Sequence, residues 1–158
     1  MRRAAAREVD SHSDVCMICF DGGSLLMCDG VCKRSFHMKC VGVEQPPATD
    51  WLCDDCNFGN MLCLICGIAG VVDEDVYKCK KPQCGRFYHM GCLQGDERVK
   101  WFKSQQDKFY CAQHVCTTCG EKPGIKPDKE NFFLTCLKCP TASHLLCALG
   151  KQVKVCLL

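Results

Sequence analysis

Cys16-Met17-Ile18-Cys19-Phe20-Asp21-Gly22-Gly23-Ser24-Leu25-Leu26-Met27-Cys28-Asp29, followed by Cys32, His37, Cys40, Cys53 and Cys56, decides the fold of this chain. A Cys-x2-Cys pair sets two thiolates on one tight turn, which suits two corners of a tetrahedral zinc ion. Four such pairs make two sites of four ligands each. The pattern then repeats. A second block runs Cys63, Cys66, Cys79, Cys84, His89, Cys92, Cys111 and His114, and a third runs Cys116, Cys119, Cys136, Cys139, His144, Cys147 and Cys156. All nineteen cysteines and four of the five histidines are absorbed, and only His12 stands outside. Three blocks of eight positions ask for twenty-four ligands, of which the chain supplies twenty-three. Four protein ligands leave no position open for water or substrate, so these are structural sites and no catalytic metal is read.

Disulfides are the competing use of so much cysteine. The odd number, the Cys-x2-Cys spacing and the lack of an apolar core in the first fourteen residues all argue against a secreted scaffold. A reducing compartment follows, the nucleus or the cytosol. No run is long enough to cross a membrane. The formal net charge of +2 misleads. Ligating cysteines are deprotonated, and with six zinc ions bound the balance becomes about −5. A basic balance therefore gives no ground for nucleic acid as main partner. Lys78, Lys80 and Lys81 read as a solvated face.

Residues 1–13 read as a disordered leader, and 57–62 as a link between the first and second modules. Only Val115 separates His114 from Cys116, so the second and third modules abut as one rigid block. The module bounds are 14–58, 59–115 and 116–158, each too small for a large core of its own. Secondary structure is expected to be sparse. Short strands are predicted over 24–27, 76–78 and 132–135, and 96–108 reads as a helix or an ordered loop.

Two eight-ligand zinc families fit this arithmetic, RING domains and PHD fingers. In the first block the histidine is the fifth ligand, and an aromatic stands two before the seventh ligand: Trp51 before Cys53, and Phe109 before Cys111 in the second block. Both features resemble PHD fingers. The order of Lys81-Pro82-Gln83-Cys84-Gly85-Arg86-Phe87-Tyr88-His89-Met90-Gly91-Cys92, Phe109-Tyr110-Cys111-Ala112-Gln113-His114-Val115-Cys116 and Cys136-Leu137-Lys138-Cys139-Pro140 is similar to the clustered PHD fingers of NSD-type histone-lysine methyltransferases and of the plant Enhanced Downy Mildew regulator. The fold implied is three consecutive cross-brace PHD-type fingers: small zinc-stabilised domains with short two-stranded sheets. The resemblance also implies the ligand sharing. Cys16, Cys19, His37 and Cys40 form one site, and Cys28, Cys32, Cys53 and Cys56 another. Cys63, Cys66, His89 and Cys92 pair as a third, and Cys79, Cys84, Cys111 and His114 as a fourth. Cys116, Cys119, His144 and Cys147 form a fifth, leaving Cys136, Cys139 and Cys156 for a sixth. Ser143 stands where an aromatic usually precedes the histidine, and only eight residues separate Cys147 from Cys156. The partner of Cys156 would fall one position beyond Leu158, so five firm zinc sites and a labile or empty sixth are expected.

PHD fingers resembling this one bind the histone H3 N-terminal tail by taking it as an added strand. The implied receiving segment is Ser24, Leu25, Leu26 and Met27. A trimethylated lysine needs an aromatic cage, but Val15 and Ser35 occupy the cage-forming places. Asp14 and Asp29 instead match the acidic places of fingers that read unmodified tails, Asp14 facing a lysine and Asp29 an arginine. The bland alternative is that such an aspartate only forms a turn. Trp51 is read as packing, Trp101 and Phe102 as buried, and His12 as an ordinary solvated residue. The resulting expectation is a nuclear chromatin-binding module of a larger regulator that docks on the H3 tail or another nuclear protein. No membrane and no small-molecule substrate enter this reading. The chain carries no SET domain, so methyltransferase activity does not carry over, although such a domain is compatible with a longer parent protein. The competing readings are a RING-like ubiquitin ligase module and a docking scaffold without histone binding.

Overall fold

The structure, a computed structural model, describes residues 12–82, 84–123 and 132–150. The chain divides after Phe58 into two compact units, Met1–Phe58 and Gly59–Leu158. Ten short strands pair into five two-stranded antiparallel sheets among the described residues. Such small sheets are marginal on their own, and here each lies between cysteine knuckles.

In the first unit, β1 (Leu26–Met27) pairs with β2 (Ser35–Phe36), Leu26 opposite Phe36 and Met27 opposite Ser35. The strand is shorter than the expected 24–27, since Ser24 and Leu25 make no ladder. A 3-10 turn at Met38–Val41 follows the histidine, and α1 (Asp54–Phe58) starts between the last two cysteines. The side chain of Trp51 packs edge-on against buried Phe36, ring centroids 5.7 Å apart. The segment 57–62 is not a linker: its first half finishes α1 and its second half is β3 (Asn60–Leu62). Nor do 12 and 13 belong to a loose leader, since the Ser13 N–H donates to the Lys33 carbonyl at 3.2 Å. Residues 1–11 lie outside the described residues.

In the second unit, β3 pairs with β4 (Ala69–Val71), and β5 (Val76–Lys78) pairs with β6 (Phe87–His89). A short α2 (Met90–Leu93) follows His89. The segment 96–108, expected as helix or loop, is mostly a hairpin of β7 (Lys100–Phe102) and β8 (Gln105–Tyr110), with a bulge between Trp101 and Phe102. Cross-strand aromatic packing outweighs the polar composition there. Trp101 stands opposite Phe109 and touches it at 5.6 Å between centroids. Phe109 is buried and meets buried Tyr88 edge-on, while Trp101 remains 39% exposed rather than buried. Met61, Val76, Leu93 and Val99 complete this core. A 3-10 turn (Ala112–His114) leads into the last part, where β9 (Phe133–Thr135) pairs with β10 (Ala142–His144) and α3 (Leu145–Gly150) follows.

Candidate metal centres and peptide groove

One backbone device recurs in four of the knuckles. In each of the pairs opened by Cys16, Cys53, Cys63 and Cys116, the N–H four residues on donates to the carbonyl of the first cysteine at 2.9 Å: Phe20, Asn57, Gly67 and Gly120 in turn. Closing three of these turns demands a left-handed residue, φ 71° at Gly67, 76° at Gly120 and 63° at Phe20. Glycine adopts that conformation without penalty and phenylalanine does not. Gly30 answers a different need. A Cβ there would lie 2.5 Å from Cys56 Sγ, so only hydrogen fits between this backbone and the ligand.

These turns bring the donors together in five quartets: Cys16, Cys19, His37 and Cys40; Cys28, Cys32, Cys53 and Cys56; Cys63, Cys66, His89 and Cys92; Cys79, Cys84, Cys111 and His114; Cys116, Cys119, His144 and Cys147. Within each quartet the donor atoms all lie within 4.8 Å of one another. Two sulfurs bound to one zinc at about 2.3 Å stand about 3.8 Å apart at the tetrahedral angle. Cys32 and Cys53 are separated by 3.8 Å, and Cys84 and Cys111 by 3.7 Å. Residues and spacing therefore fit a tetrahedral metal of thiolate and imidazole preference. Cys136 and Cys139 join no quartet among the described residues, and Cys156 lies outside them.

Electrostatics fits the same ion. Burial alone would push the Cys16 thiol up, but N–H groups of Cys19, His37 and Ile18 outweigh it and bring the group down to about 6. Cys63 falls in the same way, to about 7, while Cys116 is brought down against burial to about 5 first by the Ser143 hydroxyl and then by backbone N–H groups. Their neighbours go the other way. Burial and then the adjacent thiolates push Cys40, Cys92 and Cys147 up to about 11. Four donors this close take the fully deprotonated form only around a cation.

The histidines present the correct nitrogen. His37 Nε2 bonds the Gly22 carbonyl at 3.0 Å, leaving Nδ1 toward Cys19 Sγ at 3.2 Å. His144 repeats this, with Nε2 on the Lys122 carbonyl at 3.2 Å. In His114 it is Nε2 that faces Cys79 Sγ, at 3.3 Å. Arg34 adds an outer layer in the first unit, donating to Cys53 Sγ at 3.6 Å and to Asp55 at 2.7 Å.

A groove of about 250 Å³ lies beside β1, lined by His12, Ser13 and Asp14 from one segment, by Gly23, Leu25 and Met27 from a second, and by Ser35 of β2. No Phe, Tyr or Trp side chain lines it. Ser35 is 1% exposed and its hydroxyl has no protein partner. His12 is held rather than simply solvated, Nε2 lying 2.9 Å from the Cys28 carbonyl. Asp29 lies outside the groove lining, and its carboxylate accepts the Trp51 N–H at 2.8 Å. Leu26 pairs with Phe36 and does not line the groove either.

Sequence reasoning missed Gln113 and Arg98. Gln113 Nε2 donates to the Cys136 and Cys139 carbonyls at 2.6 and 2.8 Å, and Arg98 Nη1 donates to Thr117 Oγ1 at 2.9 Å. Neither residue has a spacing signature. The proximity forced by Val115 was the only available sign that contacts would form there.

Comparison with known proteins agrees with this geometry. Residues 10–57 match the family model for PHD zinc finger 1 of NSD-like histone-lysine N-methyltransferases, and residues 59–114 match that for the NSD-like PHD zinc finger. Over 132 residues, 83% of this chain, it is 33% identical to the histone-lysine N-methyltransferase, H3 lysine-36 specific, of Mus musculus, and covers 5% of that protein. Protein ENHANCED DOWNY MILDEW 2 of Arabidopsis thaliana is 30% identical over 87% of this chain, which covers 13% of it. Increased DNA methylation 1 of Arabidopsis thaliana is also 30% identical over 87% of the chain, with 11% of its length covered. The chain thus spans a small fraction of each relative, and the matched region is PHD finger, not catalytic domain.

Proposed function

We propose that this chain, a tandem of PHD-type zinc fingers resembling those of NSD-type histone-lysine methyltransferases, is a zinc-dependent module that docks a larger nuclear chromatin regulator onto the histone H3 tail. Zinc fills the five quartets and supplies folding energy rather than chemistry. The first finger takes the tail as a strand along the outer edge of β1, beside the groove lined by Asp14. The observation that carries this reading is the lining itself: one exposed carboxylate, one buried hydroxyl without a partner, and no Phe, Tyr or Trp to build a cage. A carboxylate accepts charge-assisted bonds from a free ammonium, and a trimethylated one has no hydrogen to give. The preferred ligand is therefore a tail with unmodified lysine. Asp29, engaged with Trp51, is assigned to the arginine only through its second oxygen.

The second and third fingers serve as scaffold. Support for this comes from the Val72–Val76 bridge and the bond from the Asp73 N–H to the Val76 carbonyl at 2.9 Å, by which the chain itself engages the start of β5. Calorimetry of the zinc-loaded chain with unmodified and trimethylated H3 tail peptides tests the proposal. Tighter binding of the unmodified peptide supports it, and tighter binding of the trimethylated peptide overturns it.

A further inference from the structure

Tyr88 carries a polar group into the core of the second unit. The residue is 0% exposed, and among the described residues its hydroxyl has no hydrogen-bond partner. A hydroxyl left that way loses its water and gains nothing in return. The ring does not need the oxygen for packing. In the first finger the residue before the histidine is Phe36, also buried, which fills the same place without one.

The neighbours of the ring lead to the fourth quartet. Tyr88 stands directly opposite Tyr77, and the Cys79 N–H carries the β5–β6 ladder on to the Arg86 carbonyl at 3.0 Å. The ring of Tyr88 meets Phe109 edge-on at 5.8 Å between centroids. Cys79 follows Tyr77 by two positions, and Cys111 follows Phe109 by two. Residues two apart in extended chain share a face, and Cys111 is extended, φ −73° and ψ 167°. The two sulfur-bearing residues therefore flank the side on which Tyr88 packs, and the Cys111 N–H donates to Cys79 Sγ at 3.3 Å. Cys79 and Cys111 are 2% and 0% exposed, so bulk water does not satisfy the hydroxyl. Burial, then the charge of Cys111 and its pull on the hydroxyl proton, then the charges of Cys84 and Cys79 push the Tyr88 phenol well above its usual range. The proton stays on the oxygen and is available to donate.

We propose that Tyr88 is a positioning residue of the fourth quartet, whose hydroxyl donates to Cys111 Sγ once a metal ion holds that sulfur as a thiolate. The inference rests on the reading of the quartets as metal sites. A ligating cysteine is deprotonated, and a charged acceptor makes the stronger bond. Loading thus supplies the partner that the buried hydroxyl lacks. Such a bond orients the ligand, and its loss costs about 10–100-fold in metal affinity.

The test compares wild type with Tyr88→Phe, which keeps the ring and removes only the oxygen, in the full chain loaded with cadmium-113. His114 faces its quartet through Nε2, whereas His37, His89 and His144 use Nδ1, so the ring nitrogen signals of His114 mark the fourth quartet. Wild type is expected to show a Tyr88 hydroxyl proton protected from exchange and spin-coupled to the cadmium ion of that quartet. Tyr88→Phe is expected to yield this ion to a competing chelator about 10–100-fold more readily, while both quartets of the first finger hold theirs unchanged. A Tyr88→Phe chain that keeps the fourth ion as tightly as wild type overturns the inference. So does a higher denaturant midpoint with no change in metal affinity, the result of merely deleting an unpartnered hydroxyl. If Tyr88→Phe does not fold, the wild-type proton decides: coupling to cadmium supports the inference, and a bound ion without coupling overturns it. A wild-type chain that takes no ion at the fourth quartet overturns the reading of that quartet as well.

Discussion

Replacing Gly30 by alanine puts a methyl group against a metal ligand. The added Cβ would lie 2.5 Å from Cys56 Sγ, 2.7 Å from Cys56 Cβ and 3.2 Å from Leu52 Cδ2. The first two atoms belong to the ligand itself, and its knuckle is fixed by the Asn57-to-Cys53 bond at 2.9 Å. Relieving the clash moves the sulfur by roughly 1 Å, several times the ~0.2 Å tolerance of a zinc–ligand distance. Loss of that ligand is at least as damaging as loss of an outer-shell partner. The quartet of Cys28, Cys32, Cys53 and Cys56 should then weaken by at least about 100-fold, or ~2.7 kcal/mol. Competition with a chromogenic chelator measures this, and the Cys16, Cys19, His37 and Cys40 quartet of the same finger is the internal reference. A Gly30→Ala chain that holds both first-finger ions as tightly as wild type would refute the packing argument.

Three further outcomes follow from the same geometry. Phe20→Gly relieves a left-handed residue at φ 63°; set against the unfolded-state entropy of glycine, it should stabilise the first finger by about 0.5–1 kcal/mol, seen as a higher denaturant midpoint. Asp14→Asn removes the one carboxylate lining the groove, and calorimetry should show the unmodified tail binding about tenfold more weakly with little change for a trimethylated one. Bonds from Arg98 hold the Asp96 carboxyl below its usual range. Its contribution is therefore present above the ordinary carboxylate pKa and lost as pH falls through the lowered value. Asp96→Asn should flatten that part of the acid-unfolding curve, and an unchanged curve would argue against the pair.

Much of this molecule is legible in ligand spacing because a tetrahedral ion dictates which residues meet. The five quartets, the strand at 76–78 and the packing place of Trp51 all follow from that demand and from the resemblance it revealed. Features built by other forces were not legible. The β7–β8 hairpin has polar composition and no period-2 alternation, and it forms because Trp101 and Phe109 face each other across the ladder. Leu26 is outside the groove lining, because the two-residue period of a strand sets it opposite Phe36 while Leu25 and Met27 line the groove. His12 falls outside the cysteine pattern, yet it meets the Cys28 carbonyl sixteen residues away. Gln113 is invisible for a related reason. Its amide donates to the Cys136 and Cys139 carbonyls, twenty-three and twenty-six positions downstream, and only the folded chain brings them together.

The most direct test of the functional account is amide chemical-shift mapping of the zinc-loaded chain titrated with an unmodified H3 tail peptide. The account predicts shifts concentrated at Asp14, Leu25, Leu26, Met27 and Ser35, around the outer edge of β1 and its groove. Shifts confined to residues after Gly59, or none at saturating peptide, would contradict it.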